Sequence, residues 1–86
     1  MTKYALEIKP SARKELERLS ESLIARIAAK IEGLSADPRP FGSKKLLGYK
    51  DLWRIRVGDY RVVYIIDDPR KIVNITRIAH RRNVYE

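Results

Sequence analysis

Seven side chains in the second half of this 86-residue sequence could do chemistry on a phosphate: Arg54, Arg56, Arg61, Arg77, His80, Arg81 and Tyr85. Guanidinium groups grip phosphate oxygens in pairs and hold fixed positive charge where negative charge builds up. Conventional catalytic groups are scarce. There is no cysteine, which excludes a thiol nucleophile, a disulfide framework and a thiolate metal site, and a single histidine makes a protein-borne zinc site a poor fit. The acidic residues are scattered or stand at turn positions (Asp59, Asp67, Asp68), so they suit neither a carboxylate-held metal nor a triad with His80. Gly42 and Gly48 flank residues 43–47 without the spacing of a phosphate-cradling loop. No metal or other cofactor is expected.

One reaction suits that inventory, phosphoryl transfer within RNA. The substrate's own 2′-OH is the nucleophile, so the protein has only to align the backbone, neutralise the phosphate and help protons move. Fixed positive charge aimed at the transition state is usually the largest catalytic term. Arginine, with a pKa above ~12, is a poor acid or base. Tyr85 or His80 are easier proton carriers, although the leaving 5′-oxygen is basic enough for Arg81 to donate to it. The same residues support RNA binding without cleavage equally well.

Arg54, Arg56 and Arg61 depend on residues 52–67, LWRIRVGDYRVVYIID, which reads as a β-hairpin turning at Gly58-Asp59. A two-residue loop pairs Val57 with Tyr60, Arg56 with Arg61, Ile55 with Val62 and Trp53 with Tyr64. One face is then apolar (Trp53, Ile55, Val57, Tyr60, Val62, Tyr64) and is read as core. The other sets Arg56 across from Arg61, with Arg54 beside them. Like charges directly opposite on a sheet cost about 0.2–1 kcal/mol, so the pairing suggests a polyanion on that face.

The rest of the chain supplies support. Residues 4–8 alternate as a first strand, and Pro10 suits the opening of a helix carrying Ala12, Leu16 and Leu19 at helical spacing. Ser20 caps a second helix, whose stripe is Leu23, Ile24, Ile27, Ala28, Ile31 and Leu34 and which ends near residues 33–37 before Pro38 and Pro40. Residues 41–50 form a loop with a short strand at 45–47, and residues 72–79 a last strand. A five-residue loop at 67–71 sets Arg77 opposite Arg61; a four-residue loop flips the strand face. The order β-α-α-β-β-β predicts one α+β domain over residues 1–86, a twisted, mainly antiparallel sheet packed against a helical hairpin.

Net charge is +8 and unevenly spread. Residues 1–37 hold 7 Lys/Arg against 6 Asp/Glu, and residues 38–86 hold 12 against 5, so +7 belongs to the half with the hairpin. Lys44, Lys45 and Lys50 either extend this footprint or merely solvate a loop. Such asymmetry favours nucleic acid or another acidic partner over a surface tuned for solubility alone. No stretch is apolar enough for a signal peptide or membrane span, and the absence of cysteine fits a cytoplasmic protein.

Arg54-Ile55-Arg56-Val57-Gly58-Asp59-Tyr60-Arg61-Val62-Val63-Tyr64, followed by Ile78-Ala79-His80-Arg81-Arg82-Asn83-Val84-Tyr85, resembles the RelE/ParE superfamily of toxins from bacterial and archaeal toxin–antitoxin modules. The resemblance covers essentially the whole chain and favours the RelE branch, ribosome-dependent endoribonucleases that cut the mRNA codon in the A site. It implies that Arg61 stabilises the phosphate, Arg81 stands near the leaving group, and Tyr85 stacks on or orients the substrate. Arg54 and Arg56 stand where RelE-type toxins carry lysines, which implies charge stabilisation in place of a base. His80 also replaces a lysine, so it either takes over proton transfer or is a strand-end residue with a satisfied hydrogen bond. Arg77, Lys44 and Lys45 complete the expected RNA contacts. Tyr85, one residue before the last of the sequence, is expected on a tail that RNA or the ribosome orders. The implied partners are a cognate antitoxin, mRNA and the ribosome with its rRNA, with no membrane. The toxin–antitoxin complex is expected to be a higher oligomer that binds its operator through the antitoxin. The alternatives are a ParE-like inhibitor of DNA gyrase without nuclease activity and a simple RNA-binding module.

Overall fold

The computed structural model describes residues 3–48 and 50–83. Its elements follow the expected order: β1 (Ala5–Ile8), α1 (Pro10–Glu17), α2 (Glu21–Ala36), β2 (Lys44–Lys45), β3 (Leu52–Val57), β4 (Tyr60–Asp67), β5 (Ile72–His80) and a closing 3-10 turn, Arg81–Asn83. The five strands lie in the order β1-β5-β4-β3-β2. Only β1–β5 is parallel, and the rest is antiparallel. The short strand falls at Lys44–Lys45 rather than 45–47: those two residues pair in register with β3, and Leu46 adds a single bond, its N–H donating to Leu52 O at 2.9 Å.

Local chemistry accounts for the helices. Pro10 opens α1, where its missing N–H is no loss. The Ser20 Oγ accepts the Leu23 N–H at 3.3 Å and starts α2 afresh. The Asp37 N–H closes α2 on Gly33 O, and the prolines that follow bar another turn. One face of the sheet meets these helices through Ile55, Val57, Val62, Tyr64, Ile66, Val73, Ile75 and Ile78, together with Ala12, Ile27 and Leu34. Each such side chain contributes about 1.5–3 kcal/mol on burial, which makes this face the main source of stability. Trp53 and Tyr60, expected as core, are half-buried against it, and Tyr64 is buried outright with its hydroxyl donating to Pro38 O at 2.8 Å.

The hairpin pairs as its alternation predicts, Arg56 with Arg61 and Val57 with Tyr60. Gly58 has φ +60°, while Asp59 has no positive φ, so the turn has the type II′ pattern that needs glycine first. The register beyond it differs from both sequence alternatives. The β4–β5 loop has four residues, 68–71, with Asp67 opposite Ile72, which alone would turn the strand over. A bulge between Val63 and Tyr64, taking up Thr76, turns it back. Ile75 and Ile78 therefore both reach the core despite a spacing of three, and Arg77 faces Val63 while Ala79 faces Arg61.

Glu15 ties α1 to the sheet. β1 pairs only with residues 72–75, so β5 runs on past its edge partner. There the Glu15 carboxylate accepts the Ile78 N–H at 2.9 Å and the Arg77 guanidinium at 3.2 Å. A second tie joins β1, the loop after α2 and the β4–β5 turn, where Asp68 accepts the Tyr4 hydroxyl at 2.6 Å and the Arg39 guanidinium at 2.7 Å.

Three outcomes follow from these contacts. Glu15→Ala opens the β5 edge and should cost about 1–3 kcal/mol in urea unfolding; an unchanged midpoint would show the edge needs no cap. Gly33→Ala, where a Cβ meets nothing within 4 Å, should gain about 0.5–1 kcal/mol. Asp68 is held at about 2 by the Arg39 and Tyr4 hydrogen bonds, below its ordinary 3.8. Its contribution is complete above the unfolded value and drains away as pH falls toward 2. Carboxyl NMR should show a midpoint near 2 that Arg39→Ala moves back toward 3.8; a wild-type midpoint near 4 would contradict the tie.

Candidate nucleic-acid interface

On the sheet face away from the helices, alternation sets Arg54 and Arg56 from β3, Arg61 from β4 and Arg77 from β5 together, with Val63 and Ala79 buried among the strands between them. Arg54 is only 6% exposed, and its guanidinium donates to Gly42 O at 3.4 Å, so the loop after α2 closes over it. Burial is the largest cause lowering its pKa, and Arg56 lowers it further. Burial also leads for Arg61, followed by Arg56, Arg54 and Arg81. The guanidinium at the centre of the hairpin is therefore crowded by three others. A bound phosphate would remove that repulsion.

Arg81 reaches the site from the 3-10 turn. Its N–H donates to Asp59 O at 2.8 Å, pinning the start of that turn to the hairpin loop. Together with Arg56, Arg61, Gly58, Asp59 and Tyr60 it lines a small cavity of about 90 Å³. Hairpin and last strand thus bring Arg54, Arg56, Arg61 and Arg81 together, as the proposed phosphate chemistry requires. Tyr85 lies outside the described residues.

The other expected contacts divide. His80 pairs in register with Tyr60, which faces the helices, and its ring meets the Tyr60 ring edge-on at 5.4 Å between centroids. Its Nδ1 accepts the Arg82 N–H at 3.3 Å. The histidine therefore stands on the side opposite Arg61 with a satisfied nitrogen. Arg77 is on the arginine face, with its guanidinium engaged by Glu15. Lys44 pairs with Arg54 and continues that face, whereas Lys45 pairs with Trp53 and belongs to the other. Both lysines are exposed.

Sequence reasoning passed over Arg26 and Lys30 of α2. Both line a furrow of about 510 Å³ with Arg56, Val57 and Gly58, and a Cβ at Gly58 would lie 3.6 Å from the Arg26 guanidinium. Their signal was an i, i+4 pair of cations on one helix face, which looks the same as ordinary solvated charge. Among the described residues no group of three or more His, Asp or Glu side chains could hold a metal ion, and no helix is long and apolar enough to cross a membrane.

The chain matches the ParE toxin family of type II toxin–antitoxin systems (parDE) over residues 6–85. It is 36% identical to a Mycobacterium tuberculosis toxin RelE, covering 95% of this chain and 86% of that protein. It is 30% identical to RelG of the same organism over 95% of both. In three dimensions it is similar to the archaeal RelE–RelB complex structure from Pyrococcus horikoshii, with TM-score 0.83, 31% identity, and 98% and 100% of the two chains covered. The family match carries the ParE name and the relatives the RelE name, over one shared fold. The chain belongs to the RelE/ParE superfamily of type II toxins.

Proposed function

We propose that this chain is the toxin of a toxin–antitoxin module and that it inhibits translation by cutting mRNA in the ribosomal A site. The observation that carries the reading is the convergence of Arg56, Arg61 and Arg81 on one cavity, with Arg54 close enough to add to the charge on Arg61. The substrate 2′-OH attacks the adjacent phosphorus, the bond to the 5′-oxygen breaks, and a 2′,3′-cyclic phosphate and a 5′-hydroxyl result. Arg61 neutralises the non-bridging oxygens as charge grows on them. Arg56 and Arg54 hold the backbone in line, and Arg81 donates a proton or hydrogen bond to the departing oxygen. Burial, and after it the like charges of Arg56, Arg54 and Arg81, lower the Arg61 pKa, which makes the guanidinium a stronger hydrogen-bond donor.

Tyr85 is assigned the role of orienting the base, and His80 that of a strand-end support. The cavity is lined chiefly by arginines, which are poor proton carriers, so the ribosome is assigned substrate geometry and part of the proton traffic. The antitoxin, partly disordered alone, folds over the arginine face and the exposed apolar side chains. The assembled complex is a higher oligomer that binds its operator through the antitoxin, and it resides in the cytoplasm.

In a purified translation system, Arg61→Ala and Arg81→Ala should each lower A-site cleavage by about 10²–10³-fold, the scale for losing one preorganised charge donor. Circular dichroism should be unchanged, since neither residue belongs to the core. Full cleavage by the double variant would sink the assignment. The ParE family match favours a second reading, inhibition of DNA gyrase. Loss of supercoiling at low stoichiometry, with translation untouched, would establish that one instead.

A further inference from the structure

Phe41 stands on a rigid turn with its ring fully exposed. The Ser43 N–H donates to Pro40 O at 2.9 Å, and Gly42 has φ +92°, which together make a type II turn with Phe41 at its leading corner. An apolar ring held out on this turn forgoes the stabilisation that burial would have supplied. Beside it lies a depression of about 430 Å³ lined by Lys30, Arg56 and Gly33. Lys30 and Arg56 also line the furrow that holds Arg26 and Gly58, and Arg56 and Gly58 line the cavity of Arg61 and Arg81. The three hollows share lining residues and so form one path beside the part of β3 beyond Arg54 that β2 does not pair, from Phe41 past Lys30, Arg56 and Arg26 to Arg61 and Arg81.

We infer that this path binds single-stranded RNA flanking the scissile phosphate, with Arg26 and Lys30 on backbone phosphates and Phe41 stacked on a base. The inference rests on the proposed nuclease reading for the strand's destination, though the binding it describes needs no cleavage. A file of cations ending in an exposed aromatic is the pattern single-strand binders use, charge for the backbone and a ring for a base face. A purely anionic chain such as polyglutamate would use the cations and leave Phe41 without a role, and an antitoxin segment covering both would compete with the RNA for this path.

The test is binding of fluorescent single-stranded polyuridylate to the isolated chain across a range of salt. Arg26→Ala/Lys30→Ala should weaken binding and reduce the slope of log affinity against log salt by about 1.4, or ~0.7 for each phosphate released. Phe41→Ala should weaken binding roughly tenfold with an unchanged slope, and Phe41→Trp should restore it. Unchanged affinity and slope in the double variant overturns the path, as does a Phe41→Ala variant that binds like wild type. Equal competition by polyglutamate of the same charge overturns the stacking role. Slope and affinity are read without cleavage, so a wild-type chain that fails to cut mRNA defeats the nuclease reading alone. Cutting that survives beside an unchanged slope defeats only the path.

Discussion

The structure depends on a trade between the two faces of one sheet. On one side Arg61 is crowded by Arg56, Arg54 and Arg81, which add to burial in lowering its pKa. On the other, Ile55, Val57, Val62 and Tyr64 of the same two strands are buried against the helices. A like-charged cross-strand pair costs about 0.2–1 kcal/mol, while each buried side chain returns about 1.5–3 kcal/mol. The core wins comfortably. It can hold several guanidinium groups together because strict alternation puts the stabilising and the destabilising residues on opposite faces of one backbone. On the proposed reading, a phosphate bound here would offset that crowding as charge accumulates on it.

Two local devices keep that alternation in phase. Gly58 makes the tight turn that sets Arg56 opposite Arg61, and the bulge at Thr76 restores the face of β5 after a four-residue loop. Without the bulge, Ile78 and Arg77 would exchange faces, burying a charge and exposing a core side chain. Glu15 secures the repaired segment by capping the Ile78 N–H and engaging Arg77. A residue expected at the rim of the site thus also anchors the strand that carries Arg81 toward it.

The hairpin was legible because local signals agreed: period-two alternation, a Gly-Asp turn and aromatic side chains on a single face. The helical hairpin was legible for a similar reason, with Pro10, Ser20 and Pro38 marking its ends. The β5 register was not, since a bulge depends on how the strand meets both β4 and α1. Its one trace is the Ile75–Ile78 spacing of three, which breaks the alternation begun at Val73. The parallel pairing of β1 with β5 brings together residues nearly seventy positions apart, beyond any local pattern. His80 looked eligible by type, and only its register with Tyr60 places it across the sheet from Arg61. Arg26 and Lys30 were hidden for the opposite reason, because a helix's polar face carries such residues whether or not they bind anything.

On the proposed function, these arginines serve an attack by the substrate's own 2′-OH. The most direct measurement is the chemistry of the ends of mRNA recovered from programmed ribosomes treated with the purified chain. Upstream fragments ending in a 2′,3′-cyclic phosphate, or the 3′-phosphate it hydrolyses to, with downstream fragments bearing a 5′-hydroxyl, are the predicted result. Upstream 3′-hydroxyls paired with downstream 5′-phosphates would mean that water or another nucleophile attacked the phosphorus, and would contradict the account.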